Sequence, residues 1–110
     1  VIIPHYTLYP DAIYPTALDE VERVYKFITN PYHQEELREQ LHFAVGRTIV
    51  GGESAGANLS AGLVVRLIQQ KEDAMPSVLY LTSPPTNFTQ IPGPSRVISM
   101  FSFLSPFLFC

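Results

Sequence analysis

The sequence of 110 residues has little cysteine and little charge. Its one cysteine, Cys110, is the last residue, so neither a disulfide framework nor a cysteine-based metal site can be built from it. Charged residues make up 15% of the chain and the formal net charge is −3, with no run of lysine or arginine. This composition argues against nucleic acid as a partner. We predict no metal site and no cofactor.

The sequence also lacks a long hydrophobic run and a secretory leader at its first residues. Its most apolar stretch, VISMFSFLSPFLFC, covers residues 97–110 and is interrupted by Pro106. A membrane helix needs about 20 consecutive apolar residues, which is longer than this stretch. The opening residues, VIIPHY, contain no basic region before an apolar core. We therefore expect no membrane span, and the compartment stays open.

Apolar residues make up 46% of the chain, and their spacing predicts strands alternating with helices. The predicted elements are strand 1–9, a helix with Thr16 as its N-cap that ends at Asn30-Pro31, a short surface helix within 32–46, strand 47–52, a helix from Ala55 to Gln70 buried on most sides, and strand 77–83, followed by a loop at 83–95. Such alternation predicts an α/β fold, with a parallel sheet flanked by helices in a β-α-β-α-β order. Residues 1–95 would form this partial domain, and residues 96–110 would be an apolar C-terminal segment that we expect to be cut short.

The stretch from Gly52 to Gly56, GESAG, fits the pattern G-x-S-x-G at the point where a predicted strand becomes a predicted helix. In this pattern the serine stands on a sharp, strained turn that exposes its hydroxyl above the sheet. We therefore predict Ser54 as a nucleophile, with Glu53 beside it. A β-carbon at either glycine is expected to collide with a neighbouring element. The N–H of Ala55, at the helix start, is expected to point towards a forming oxyanion. The alternative interpretation is a plain tight turn.

Two linked motifs resemble one family. GGESAGANLSAGL resembles the turn around the nucleophile in the hormone-sensitive-lipase-like, GDXG-type branch of the α/β-hydrolases. Residues 5–10, HYTLYP, and residues 14–20, YPTALDE, are similar to that family's D-Y-R-L-A-P strand end and the F/Y-P-A-A-L-D-D helix start after it. The resemblance covers residues 1–83 and implies hydrolysis of small-molecule acyl esters with Ser54 as nucleophile. His5 and Thr7 replace the family's Asp and Arg, which leaves the packing of this loop in question.

The remaining catalytic groups of that family have no counterpart after Ser54. A serine hydroxyl needs a base, and in α/β-hydrolases the order along the chain is Ser, then Asp or Glu, then His. The sequence has three histidines and all of them precede Ser54: His5, His33 and His42. The only acids after Ser54 are Glu72 and Asp73, which we expect to be solvated at a helix end.

The family's Gly-rich loop, which completes the oxyanion hole, would lie before residue 1. We therefore expect the 110-residue chain by itself to be close to inactive. Two alternatives stay open beside an ester hydrolase. One is a non-catalytic α/β-hydrolase-like binding domain, and the other is a truncated product that does not fold stably. The sequence leaves the acyl chain, the alcohol group and the oligomeric state open.

Overall fold

The computed structural model describes residues 1–84 of the chain. The predicted loop beyond Pro84 and the predicted C-terminal segment at 96–110 lie outside the described residues. In chain order the elements are α1 (Thr16–Thr29), a 3₁₀ turn (Pro31–His33), α2 (Gln34–Leu41), β1 (Ile49–Glu53), α3 (Ala55–Gln70) and β2 (Val78–Thr82). None of these helices combines the length and the apolar character that crossing a membrane requires.

Strands β1 and β2 form a two-stranded parallel sheet, and α3 is the connection between them. The register runs from Ile49 opposite Val78 to Glu53 opposite Thr82. Parallel neighbours need a crossover of this kind because the chain must return to the starting edge of the sheet. The predicted α/β class, with a parallel sheet and flanking helices, is therefore confirmed.

The core lies between the two long helices on one face of the sheet. Leu18 and Tyr25 of α1 pack against Leu63 and Leu67 of α3, and Val50 of β1 contacts this cluster. Both leucines of α3 are only 1% exposed. The predicted spacing of apolar residues thus places α1 and α3 together over β1.

A single phenol joins three segments at the amino edge of the sheet. The Tyr25 hydroxyl donates to the Ala74 carbonyl oxygen at 3.0 Å and lies 3.2 Å from the Thr48 hydroxyl. Thr48 precedes β1, and Ala74 lies on the connection from α3 to β2. Tyr25 therefore fixes α1 to the point where both strands begin.

The predicted strand at 1–9 is wrong, because residues 1–8 form no regular secondary structure. Pro4 cannot donate to a ladder, and within residues 1–84 the only strand pairing is that of β1 with β2. The segment is instead held by α1. The Thr7 amide and hydroxyl donate to the two carboxylate oxygens of Glu20 at 2.7 and 2.9 Å, and Tyr6 is buried. These two hydrogen bonds lie in the loop around Thr7, whose packing the sequence left in question.

The ends of α1 follow the sequence closely. Thr16 is the first helical residue rather than the predicted N-cap, because the Pro15 carbonyl oxygen accepts the first helical hydrogen bond, from the Asp19 amide at 3.0 Å. Asn30 is extended, as expected for the residue before a proline, and α1 ends there as predicted.

Helix α3 has the predicted bounds, but it is not buried on most sides. Val65 and Ile68 are 52% and 61% exposed. Among the helices and strands of residues 1–84, only α1 and the two strands pack against this helix, and the side that carries Val65 and Ile68 is exposed.

Polar groups join the helices beside the core. Arg66 of α3 donates to the carboxylates of Asp19 and Glu22, and Lys26 pairs with Glu22 at 2.9 Å and with Glu72 at 2.7 Å. Glu72 is therefore an ion-pair partner rather than the solvated acid predicted from the sequence.

Glu22 is the centre of this network and is only 8% exposed. Its burial alone acts to raise the pKa of the carboxyl group. Hydrogen bonds from Lys26, Arg66 and Gln70 outweigh the burial and lower the pKa of Glu22 to about 2. Glu22 therefore stays ionised in the folded chain.

The low pKa of Glu22 predicts a loss of stability in acid. Its stabilising contribution is fully present above about pH 4.3, the value expected in the unfolded chain, and is lost as the pH falls towards 2. At about 1.4 kcal/mol for each pKa unit, the loss is on the order of 3 kcal/mol. Chemical denaturation between pH 7 and pH 2 should therefore show a shallower acid dependence for Glu22→Gln than for the wild type.

The matched control is Glu35→Gln, because Glu35 is exposed on α2 and pairs only loosely with Arg38, at 3.5 Å. This variant should keep the wild-type acid dependence. An unchanged acid dependence in Glu22→Gln would contradict the role assigned to the network.

Candidate active site

Ser54 forms the bend between β1 and α3 at the carboxyl edge of the sheet. Its backbone has φ 51 and ψ −113, a conformation that residues other than glycine rarely adopt. The Ser54 amide donates to the Thr82 carbonyl oxygen at 2.9 Å, and the Ser54 carbonyl oxygen accepts from the Asn58 amide at 3.1 Å. The bend is therefore held from β2 on one side and from the first turn of α3 on the other.

The glycine at position 52 allows the bend to be this sharp. A β-carbon there would lie 2.6 Å from the Gly56 carbonyl oxygen and 2.9 Å from the Ala57 nitrogen, which is closer than real β-carbons approach. The expected collision is thus confirmed at Gly52. It is wrong at Gly56, where an added β-carbon would meet nothing within 4 Å among the described atoms.

A third glycine has a steric role that the sequence motif did not indicate. A β-carbon at Gly51 would lie 2.6 Å from the Tyr80 carbonyl oxygen and 2.9 Å from the Tyr80 β-carbon, across the ladder from β1 to β2. In the sequence, this role was indicated only by the two adjacent glycines before Glu53. Gly51 leaves room for β2, and Gly52 leaves room for the start of α3.

The start of α3 leaves backbone donors at the bend. Ala55 is the first residue of the helix, where amide groups have no acceptor within the helix itself. The first turn contains no acidic residue, and the Ser54 side chain does not cap it. The positive end of the helix dipole is therefore not offset by a side chain of the first turn, and a forming negative charge would be favoured there.

The Ser54 side chain is partly exposed, and the Glu53 side chain beside it is exposed at the end of β1. Among residues 1–84, the structure shows no side chain hydrogen-bonded to the Ser54 hydroxyl. The same part of the chain contains no group of three residues that could hold a metal ion.

The three histidines lie elsewhere. The His33 ring stacks on Phe27 with ring centroids 4.3 Å apart, and its Nδ1 lies 3.8 Å from a Glu36 carboxylate oxygen. His42 follows α2 with a positive φ of 56, and His5 is exposed in the N-terminal segment. Within the described range, the structure thus brings together the bend and the helix start, but no base.

Comparison with models of known protein families gives a match over most of the chain. A model of the family described as alpha/beta hydrolase fold matches residues 1–104, which is most of the chain. Neither the curated proteins nor the solved structures gave a match.

The two glycines of the motif should respond differently to alanine. Gly52→Ala should destabilise the chain by about 1–3 kcal/mol, because the added methyl group meets the backbone at Gly56. Gly56→Ala should be neutral or stabilising by up to about 1 kcal/mol, because alanine favours a helix over glycine. Chemical denaturation of both variants measures the difference. Equal destabilisation by the two substitutions would show that the asymmetry between these positions is wrong.

Proposed function

The chain belongs to the α/β hydrolase fold family, and on that premise we propose that it is a carboxylic-ester hydrolase with Ser54 as nucleophile. The observation that carries the proposal is the positive φ of Ser54 on the bend from β1 into α3. Strain of this kind persists only where the surrounding structure fixes it, and it concentrates at functional sites. The quoted motifs support the hormone-sensitive-lipase-like branch and a small-molecule acyl ester as substrate.

In the proposed reaction, the Ser54 oxygen attacks the acyl carbonyl carbon and loses its proton to a base. The carbonyl oxygen becomes an oxyanion, which the Ala55 amide and the positive end of α3 would stabilise. Collapse of this intermediate breaks the ester bond, and the leaving oxygen takes the proton back from the base and departs as the alcohol. Water then hydrolyses the acyl-serine, which releases the carboxylic acid and restores the Ser54 hydroxyl. The described residues contribute the nucleophile and one oxyanion donor, and Glu53, Gly52 and Gly56 complete the turn around them.

The proton from Ser54 has no acceptor among the described side chains. We therefore propose that the 110-residue chain by itself turns over esters very slowly. Loss of the base removes most of the rate of a serine hydrolase, and the remainder comes from binding and the oxyanion hole.

A second candidate function is binding of an apolar ligand without turnover. It is favoured by a groove of about 650 Å³ between the N-terminal segment, α1 and β1, with Val21, Val24 and Ile28 in its lining. A third candidate, a chain that does not fold stably, is favoured by the exposed apolar residues of β2, since exposed apolar strands promote aggregation.

Hydrolysis of a short acyl ester by the purified chain tests the missing base. We expect the wild type and Ser54→Ala to differ by less than twofold, because an unactivated hydroxyl is a poor nucleophile. Turnover well above that of Ser54→Ala would show that a base is present. A cooperative thermal melt, recorded on the same samples, separates a folded chain from an unstable product.

A fluorophosphonate probe with added imidazole tests the nucleophile itself. Imidazole can take the proton that the chain does not accept, so we expect several-fold faster labelling, and mass spectrometry should locate it at Ser54. Ser60→Ala is the matched control, because Ser60 is buried in α3 and should not react. Labelling that is equal in the wild type and in Ser54→Ala would favour the binding function.

A further inference from the structure

Within residues 1–84, the backbone of β1 is hydrogen-bonded along one edge only. Its ladder with β2 ends where the Ser54 amide donates to the Thr82 carbonyl oxygen at 2.9 Å. Successive residues of a strand in a parallel pair direct their backbone groups to opposite edges. The amide and carbonyl groups of Ile49 and Gly51 therefore point away from β2, and no described residue is hydrogen-bonded to them. This edge of β1 is a row of unpaired donors and acceptors.

The groove of about 650 Å³ lies along this free edge of β1. Its described lining includes Ile49 and Gly51 but no residue of β2, so the groove is on the side of β1 that faces away from β2. The rest of its lining is largely apolar, with side chains from α1 and from the N-terminal segment: Val21, Val24, Ile28, Val1, Ile2 and Pro4. An extended chain in the groove would therefore have β1 beside its backbone and apolar surface beside its side chains.

Arg47 gives one end of the groove a positive charge. It precedes β1, and its side chain is the single charged side chain in the described lining. Arg47 is exposed and forms no ion pair with another residue of the described range 1–84. An acidic group on the occupant is therefore the charge that this end of the groove complements.

The free edge favours a peptide over a small apolar molecule as the occupant. Alternating N–H and C=O groups along a strand match the backbone of another extended chain, which has the same repeat. A small apolar molecule in the groove would remove water from the backbone groups of Ile49 and Gly51 without replacing their hydrogen bonds. Such a loss is costly for polar groups.

We propose that the groove is a docking site for an extended segment of a partner protein, which adds to the free edge of β1 as a third strand. The segment carries apolar side chains on alternate residues and an acidic residue at the end beside Arg47. This inference goes beyond the hydrolase function. It also names a peptide in place of the apolar ligand of the second candidate function.

Binding of a fluorescent heptapeptide to the 110-residue chain, measured by fluorescence anisotropy, tests this site. The probe EVTVTVE has valine on alternate residues and glutamate at each end, so one glutamate lies beside Arg47 whichever way the strand runs. The same peptide methylated on its backbone nitrogens keeps the side chains and the charges but cannot donate to β1. It should bind at least tenfold more weakly than the unmodified probe.

Ile49→Pro removes one donor from the free edge of β1. The Ile49 amide lies outside the ladder with β2, and proline is tolerated in a strand where its missing N–H would face away from the neighbouring strand. The variant should therefore keep a cooperative thermal melt and bind the probe at least fivefold more weakly. Ile49→Val is the matched control, and its affinity for the probe should stay within twofold of the wild type.

Arg47→Glu tests the charge without touching the strand ladder, because Arg47 is exposed and precedes β1. This variant should bind EVTVTVE at least threefold more weakly than the wild type does. It should bind the lysine counterpart, KVTVTVK, at least threefold more tightly than the wild type does.

The proposal is overturned if the methylated peptide binds as tightly as the probe, if folded Ile49→Pro binds the probe like the wild type, or if Arg47→Glu changes the affinity for neither peptide. It is also overturned if the wild type sediments as a dimer that Ile49→Pro dissociates, since the occupant would then be a second copy of the chain. Ser54→Ala should bind the probe like the wild type. Failure of peptide binding and failure of fluorophosphonate labelling at Ser54 are therefore separate results.

Discussion

The close approach of Gly52 to the backbone of Gly56 is the constraint on which the candidate site depends. It allows β1 to turn into α3 within one residue, and the backbone bend therefore lies at Ser54. The helix that starts there is fixed by Leu63 and Leu67 against α1, and the strand is fixed by its ladder with β2. The bend is thus strained locally and stabilised by packing on both sides.

Charge is distributed unevenly along α3. The first eleven residues, from Ala55 to Val65, carry no charged side chain, whereas Arg66 begins the polar contacts with α1. The ionic network therefore stabilises the pairing of the helices far from the bend. At the bend itself, the positive electrostatic potential comes from the backbone amides in the first turn of α3.

Much of this arrangement could be predicted from the sequence because it is local. The bounds of α3, the position of β2 and the parallel class followed from apolar spacing and from GESAG. The strand at 1–9 could not be judged in this way, because a strand requires a partner that the pattern of Ile2 and Ile3 does not reveal. Likewise, the motif requires glycine at 52 and 56 alike, but only the direction of each absent β-carbon shows which position is crowded.

The open space at Gly56 has a consequence for how this site could change over evolution. Position 56 lies within one helical turn of Ser54, yet a β-carbon there would meet no described neighbour within 4 Å. Alanine at position 56 is thus compatible with the described part of the fold, and its methyl group would lie within one helical turn of the serine. A lineage could in this way acquire a new preference among small molecules while its scaffold stayed intact.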